Sequence, residues 1–198
     1  MYEVQDHKFI GVPFYRARSM GVTLAKPSLI VIHYSAGANI IGDRVTLTTG
    51  PHSAHFLIGR YGEVEQLVPL NRIAYHAGES IWKGRANCNE FSIGIELTNW
   101  GALTFDYDKY ISWCGTPVPP PEVLEGRHVN PLWQSRFWHR YTCRQILSCQ
   151  RVCDSLQAWS EIPMDITGHD VIAPKRKQDP GPAFPMDVLV KHVQHAQQ

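Results

Sequence analysis

The sequence lacks the features that would assign it to a membrane, nucleic-acid-binding or disulfide-stabilised class. No segment approaches the ~20 consecutive apolar residues that a membrane span requires. With 19 basic and 18 acidic residues, the net charge is only +1, so charge alone indicates no nucleic-acid or membrane partner. The five cysteines are odd in number and have no framework spacing, which argues against a secreted disulfide scaffold.

A secretory leader is also missing at the start of the sequence. Residues 1–8 have neither the basic start nor the apolar stretch of such a signal. We therefore expect the protein to be cytoplasmic as synthesised, or to leave the cell by a route other than general secretion.

Composition is typical of one folded domain. The 198 residues are 43% hydrophobic and 19% charged, which argues against disorder, and no internal repeat or low-complexity segment interrupts them. We predict a single domain over residues 1–198 and, since nothing demands an assembly, a monomer. Ten histidines are a high count and favour metal chemistry.

Hydrophobic patterns predict an α/β (α+β) fold, in which a mixed central β-sheet is flanked by helices. Apolar or alternating runs predict strands at residues 28–36, 55–60, 63–68, 91–97 and 166–169. Tyr61-Gly62 forms the turn between the second and third of these. Helices are predicted from Thr142 to Trp159, with a capping box of Thr142 and Gln145, and near residues 186–194. A short helical or irregular piece is expected at residues 44–50.

Three cysteines lie on the longer predicted helix. Cys143, Cys149 and Cys153 either form a second metal cluster or belong to a core-facing stripe. Their helical spacing favours packing over ligation.

Residues 101–140 have a different character, rich in proline and aromatic residues. The run of residues 117–121 (Pro-Val-Pro-Pro-Pro) cannot continue a helix or an interior strand. A loop this long usually packs on itself or serves function. It is predicted to be a flap or insertion whose tryptophans either anchor it to the domain or form a wall of a substrate groove.

Two histidines and one aspartate form a candidate metal site. His33 ends the apolar run of the first predicted strand, and Asp179 follows His169 across a loop that contains Pro174. That loop can return Asp179 towards His169, and a strand-end His33 can complete the triangle. Three such ligands plus a water is the donor set of a hydrolytic zinc, although a single strand-end histidine is more often a satisfied polar residue.

The segment from Gly168 to Pro182 resembles a signature of the zinc-dependent N-acetylmuramoyl-L-alanine amidases, the type-2 amidase family that includes relatives of T7 lysozyme and the peptidoglycan recognition proteins. Residues 53–58, 74–78 and 87–92 resemble further elements of that family. The likeness spans roughly residues 28–100 and 162–186. It implies an amidase-like fold with one Zn²⁺ ion, held by His33, His169 and Asp179 in a groove over the sheet.

The resemblance also implies roles for other residues. Glu96 matches the family's glutamate at a strand end and would be the proton shuttle. Lys177 matches its lysine two residues before the third ligand and would stabilise the oxyanion. For substrate binding we consider His76, Tyr34 and His55, although either of the two histidines could instead orient a ligand or fill a hydrogen-bond position in the fold.

The function implied is zinc-dependent hydrolysis of the bond between N-acetylmuramic acid and L-alanine, with peptidoglycan or muropeptides as the partner. The alternative is a non-catalytic peptidoglycan-binding module, which has no need to keep these five residues together. A zinc peptidase lacks support because no His-Glu-x-x-His element is present. Three biological roles stay open: a recycling enzyme, a phage endolysin released by a holin, and an antibacterial effector exported by a dedicated machine.

Overall fold

The structure is a computed structural model that describes residues 1–24, 26–160 and 162–195. Within these ranges the strands are β1 (Val4–Gln5), β2 (Lys8–Phe9), β3 (Met20–Thr23), β4 (Leu29–Tyr34), β5 (Phe56–Ile58), β6 (Val64–Gln66), β7 (Arg72–Ala74), β8 (Ile81–Trp82), β9 (Arg85–Ala86), β10 (Ser92–Leu97), β11 (Ala102–Asp106), β12 (Lys109–Ile111), β13 (Pro117–Val118), β14 (Val123–Glu125), β15 (Phe137–His139) and β16 (Asp165–Gly168). The α-helices are α1 (Ile40–Thr49), α2 (Cys143–Trp159), α3 (His169–Ile172) and α4 (Met186–His195).

The central sheet has the strand order β16-β4-β10-β5-β6. The first four strands run parallel, and β6 returns antiparallel to β5 through the predicted hairpin. Strand β4 is fully buried over Leu29–Ile32, as expected for a parallel strand covered on both faces. The predicted mixed sheet flanked by helices is confirmed.

Register brings the candidate residues to one end of this sheet. Glu96 of β10 is paired with His33 of β4, and Gly168 of β16 with Ile32. His169 therefore follows its strand at the same level as His33. The carboxyl ends of parallel strands are where α/β sheets usually bind ligands.

The main hydrophobic core lies between the sheet and helices α2 and α4. Ile30 and Ile32 face this core, where Val152 and Leu156 of α2 and Leu189 of α4 pack. Because side chains alternate along a strand, His33 projects to the opposite face. The larger core therefore closes one side of the sheet and leaves the other for the site.

Helix α2 begins as predicted. The Thr142 side chain accepts a hydrogen bond from the backbone N–H of Gln145, and the Gln145 side chain accepts one from the Thr142 backbone, which completes the capping box. Cys149 and Cys153 are buried in the core, whereas Cys143 is exposed. The packing interpretation is thus confirmed for two of the three cysteines.

Residues 101–140, predicted as a flap or insertion, contain strands that the sequence did not indicate. This insertion contains a second five-stranded antiparallel sheet of order β13-β12-β11-β15-β14. Its small core joins Leu103, Val118 and Val123. Pro117 is accommodated because β13 is an edge strand, where a missing N–H costs no ladder bond. Strands of two to five residues give too little periodicity to be recognised.

Helix α1 begins at Ile40, earlier than the predicted short piece. The side chain of its N-cap residue, Asn39, accepts a hydrogen bond from the Gly42 N–H.

Among the described residues, no helix is both long and apolar enough to cross a membrane.

Candidate metal centre and active-site cavity

The side chains of His33, His169 and Asp179 meet at the carboxyl end of the central sheet. The His33 Nδ1 atom lies 2.9 Å from His169 Nδ1 and 2.9 Å from Asp179 Oδ2, and His169 Nδ1 lies 3.0 Å from the same oxygen. All three residues are buried. The structure therefore brings together the three predicted ligands, which form a possible metal site.

Loop geometry positions Asp179. The backbone carbonyl of Asp179 accepts a hydrogen bond from the N–H of Asp170 at 2.8 Å, and the N–H groups of Arg176 and Lys177 both donate to the carbonyl of Ala173. These bonds fold the segment after α3 back on itself. Asp179 is thereby held beside His169, although α3 and the loop after it separate the two residues in sequence.

Hydrogen bonds on the far side of each ring indicate which nitrogen carries the proton. His169 Nε2 lies 3.0 Å from the carbonyl of Ala77 and must be the donor there, since a carbonyl only accepts. The neutral ring then has no proton on Nδ1. Its lone pair faces His33 and Asp179.

His33 reaches the same state through His76. The Ser92 hydroxyl donates to the carbonyl of Cys88 at 2.6 Å, so its oxygen is left to accept from His76 Nε2 at 3.2 Å. His76 Nδ1 is then an acceptor and receives the proton of His33 Nε2 at 3.0 Å. Burial, with the nearby His169, lowers the pKa of His33 to about 4, so the ring is neutral and Nδ1 is free of a proton.

Two bare nitrogens and a carboxylate oxygen within 3.0 Å of one another fit a divalent cation that takes nitrogen and oxygen ligands, as zinc does. The bonds to Ala77 and His76 are the outer contacts that orient metal-bound histidines in proteins. The residues present therefore fit the predicted metal.

Glu96 lies beside His33 on the neighbouring strand. Its Oε2 atom is buried and has no hydrogen-bond partner among the described protein groups. Burial, together with the negative charges of Asp179 and Asp43, raises the pKa of Glu96 to about 8, and Lys177 opposes part of that rise. A half-buried carboxyl group with one unpartnered oxygen and a pKa near neutrality has the properties of a general acid–base.

Lys177 is half-buried and lines the same cavity, whereas Lys175 is exposed. The cavity has a volume of about 440 Å³. Its walls are formed by the three candidate ligands, by Glu96 and Lys177, and by a set of flanking residues that includes Tyr34, Tyr75, His76 and Trp133.

The predicted substrate-binding residues occupy different places. Tyr34 lies on the cavity wall, and its ring packs so closely on Gly101 that an added Cβ would lie 2.2 Å from it. His76 reaches the wall but is bonded to His33. His55 lies outside the lining: its Nδ1 accepts from the N–H of Gly94, and its Nε2 donates to the carbonyl of Arg72, which leaves no ring nitrogen for a substrate.

Sequence reasoning missed several supporting groups. The Asn89 side-chain oxygen accepts from the backbone N–H groups of both His76 and Ala77 and so fixes the segment that contacts both candidate histidine ligands. Ser92 accepts a hydrogen bond from His76, which in turn accepts one from His33. Strand parity placed Ser92 on the same face as Glu96, which indicated that Ser92 lies near the site. Nothing in the sequence indicated a role for Asn89.

Two tryptophans of the insertion occupy different places. Trp138 is fully buried, with its indole N–H donating to the carbonyl of Gly126, and so anchors the insertion. Trp133 instead lines the cavity. The Asn130 side chain donates to the carbonyl of Pro174, and His128 contacts the carboxylate of Asp170. These contacts hold the segment against α3 and the loop that follows it.

Comparisons with known proteins agree with this geometry. Residues 23–182 match the Amidase_2 family, described as N-acetylmuramoyl-L-alanine amidase. The 1,6-anhydro-N-acetylmuramyl-L-alanine amidase AmpD of Escherichia coli K12 is 35% identical over 132 residues, which cover 67% of this chain and 53% of AmpD. The N-acetylmuramoyl-L-alanine amidase AmiD of the same strain is 32% identical over 170 residues, covering 82% and 52%. The chain thus spans about half the length of these curated relatives.

Solved structures show the same fold. A selenomethionine derivative of AmpD superposes with a TM-score of 0.66 at 25% identity, covering 98% of both chains. AmiD from E. coli, in complex with anhydro-N-acetylmuramic acid-L-Ala-D-γ-Glu-L-Lys, gives a TM-score of 0.62 at 27% identity, covering 96% of this chain and 65% of that one.

Proposed function

The chain belongs to the N-acetylmuramoyl-L-alanine amidase family, and on that basis we propose that it hydrolyses the amide bond between N-acetylmuramic acid and L-alanine in peptidoglycan or its fragments. One observation carries the proposal. A donor set suited to a divalent cation shares a single cavity with the half-buried Glu96 and with Lys177. Amide hydrolysis needs an activated water, a proton carrier and a group that stabilises the oxyanion, and the cavity has a candidate for each.

We propose that His33, His169 and Asp179 hold one zinc ion. When bound there, zinc would polarise the amide and make a water molecule more acidic. The protein's part is to keep Nδ1 of both histidines unprotonated, and the donors and acceptors behind the rings support that role.

Glu96 is proposed as the proton shuttle. Its carboxylate takes a proton from the attacking water and delivers it to the departing alanine nitrogen. The absence of a protein partner for Oε2 supports this role, because the carboxyl group is free to exchange a proton with substrate. A pKa near the working pH favours transfer in both directions.

Lys177 is proposed to donate to the oxygen that becomes negative as the tetrahedral intermediate forms. Its ammonium group lies close enough to Glu96 and His33 to influence the pKa of both. A cation fixed beside the reacting carbonyl stabilises charge that develops in the transition state.

The remaining wall residues divide into positioning and contact roles. His76 is proposed as a positioning residue that orients His33 through the Nε2–Nδ1 bond. Tyr34 and Trp133 are proposed to contact substrate. We propose no substrate contact for His55, because both of its ring nitrogens are bonded to backbone.

The names of the relatives support soluble anhydro-muropeptides as the first substrate to assay. The test incubates the protein with these fragments and, separately, with intact sacculi, with and without a chelator. We expect mass spectrometry to find an intact peptide with a free alanine amino group, and the chelator to abolish its release. Binding without release would support the non-catalytic module instead, and cleavage that survives complete zinc removal would refute the mechanism.

A further inference from the structure

A second cavity continues from the active-site cavity and is walled by the insertion. It has a volume of about 510 Å³ and is lined on one side by residues 35–39, 42, 43, 46 and 47 and on the other by Trp100 and Trp113. Glu96, Ser35 and Ala36 belong to the walls of both cavities. The two cavities therefore adjoin each other at Glu96, the proposed proton shuttle, and together form one groove.

Trp113 is held rigidly while much of its surface stays open. It is 73% exposed, yet its indole N–H donates to the carbonyl of Ala36 at 2.8 Å. It lies in the turn after β12, where Ser112 N–H bonds the carbonyl of Thr116 and Gly115 N–H bonds the carbonyl of Ser112. An exposed aromatic ring fixed at both ends has little entropy to lose when a ligand packs on it.

The loop opposite Trp113 has an unusual backbone. Ala36 adopts φ +56°, a left-handed conformation that a residue with a Cβ rarely takes. Its carbonyl is the acceptor that holds the indole. Backbone strain of this kind concentrates at binding sites, where surrounding contacts maintain it.

Charge distinguishes the two ends of the groove. The active-site cavity is lined by Arg176 and Lys177, whereas no Lys or Arg is found among the described residues that line the second cavity. Its buried Asp43 is already bonded to the hydroxyls of Ser35 and Thr98. The cationic end suits the carboxylates of a stem peptide. The other end has tryptophan walls, no cation, and the carboxyl groups of Asp43 and Glu96, and it suits an uncharged sugar with N–H and O–H donors.

We propose that the second cavity is a glycan subsite, in which an uncharged N-acetylhexosamine attached to the muramic acid packs its apolar face on Trp113. This proposal rests on the proposed function. An aromatic ring offers a large flat apolar surface, and a pyranose ring has an apolar face of C–H groups. The substrate would then be at least a disaccharide-peptide, with its peptide towards Arg176 and its second sugar between Trp113 and Trp100.

The test compares two soluble substrates that differ only in this sugar: an anhydro-muropeptide with muramic acid alone, and one with a second N-acetylhexosamine. We expect kcat/KM of the unaltered protein to be about tenfold higher for the disaccharide, the change given by burying roughly 50 Å² of apolar surface. Trp113→Ala should bring the ratio of the two kcat/KM values close to one. Trp113→Phe, which keeps a ring but not the N–H, should preserve most of the preference.

Tyr107→Ala is the matched control. Tyr107 is 91% exposed in the same insertion and lines neither cavity, so its removal should leave the ratio unchanged. A ratio near one in the unaltered protein would overturn the subsite, as would a Trp113→Ala variant that loses activity equally on both substrates or responds only to peptide length.

A binding measurement separates failure of the subsite from failure of the proposed function. If neither substrate is cleaved, the amidase proposal fails, and binding of free N,N′-diacetylchitobiose is followed by tryptophan fluorescence. Saturable binding that is lost in Trp113→Ala and kept in Tyr107→Ala would still support the subsite. No binding would overturn it.

Discussion

At the residue scale, the chemistry depends on which nitrogen of each histidine carries a proton. His169 is bonded to a carbonyl, and His33 to a relay of His76, Ser92 and the Cys88 carbonyl. Both arrangements leave Nδ1 without a proton, so its lone pair is free to bind a cation. This arrangement supports the proposed metal site, because both lone pairs face the cluster before a cation binds.

His76→Ala removes the acceptor behind His33 and should lower the affinity for zinc by about 10- to 100-fold, the usual effect of losing an outer contact of a metal ligand. Competition with a chromophoric chelator measures this directly, without recourse to activity. His7→Ala, at an exposed histidine, is the control. An unchanged zinc affinity in His76→Ala would contradict the relay.

Lys177→Ala should retain zinc but lower kcat by about 100-fold, because a lost oxyanion donor costs about 3 kcal/mol. Steady-state kinetics on a muropeptide would measure the effect. Lys175→Ala, at an exposed lysine two residues earlier, should keep normal turnover. Equal losses in the two variants would mean that the local positive charge matters rather than Lys177 itself.

Glu96→Gln should also retain zinc and reduce turnover by about 100-fold or more. Glu125→Gln is the control, because the Glu125 side chain forms an exposed ion pair with Arg136. Full activity in Glu96→Gln would move the proton transfer to another group.

Glu96 also gives a prediction for the pH dependence of stability in the metal-free protein. Because burial and the neighbouring carboxylates raise the pKa of Glu96 to about 8, the folded state holds a proton that the unfolded state releases above its ordinary pKa of about 4.5. The contribution of Glu96 to the free energy of unfolding is therefore greatest at acid pH and decreases as the pH rises towards 8.

Glu96→Gln has no such loss, so its stability relative to the unaltered protein should increase between pH 5 and pH 8 by on the order of 2 kcal/mol. Urea unfolding at the two pH values measures the difference, in which the titration of the histidines common to both proteins cancels. Parallel pH profiles would show that the Glu96 pKa is not raised.

At the scale of elements, strand β10 serves both the sheet and the site. Ser92, Gly94 and Glu96 share one face, and the His76 ring lies against Gly94, where an added Cβ would be 2.4 Å from the ring. Gly94 is therefore needed for close approach rather than for flexibility.

Gly94→Ala should displace His76 and so weaken zinc binding by about tenfold or more, with a loss of stability of about 1–3 kcal/mol from overpacking. Gly126→Ala, where the nearest atom is 3.7 Å from an added Cβ, should change neither. Isothermal titration with zinc and thermal unfolding measure the two quantities. A Gly94→Ala protein with unaltered zinc affinity would contradict the packing argument.

Elements with strong local signals were predictable from the sequence. The apolar run of β4, the alternation of β10 and the capping box of α2 each gave the right element, and strand parity placed Glu96 on the face of Ser92 and Gly94. The short strands of the insertion carried no such signal. The sequence also did not show that His76 lines the cavity and His55 does not, because this depends on which backbone groups lie next to each ring.

At the scale of the whole molecule, the site is assembled from segments distant in sequence. Parallel strands bring His33, Glu96 and His169 to one edge, the loop after α3 returns Asp179, and the insertion supplies Trp133 and the adjoining groove. The family resemblance predicted the first two arrangements. It did not cover the insertion, whose position beside the cavity is seen only in the structure.

The most direct test of the account is the zinc content of the purified protein after equilibration with zinc and removal of the free ion. Elemental analysis should find about one zinc per chain in the unaltered protein and in Asp187→Ala, and less than about a tenth of that in Asp179→Ala, because three ligands are needed to hold a zinc ion with an open position. Equal zinc in all three proteins, or none in any of them, would contradict the claim that His33, His169 and Asp179 form the metal centre.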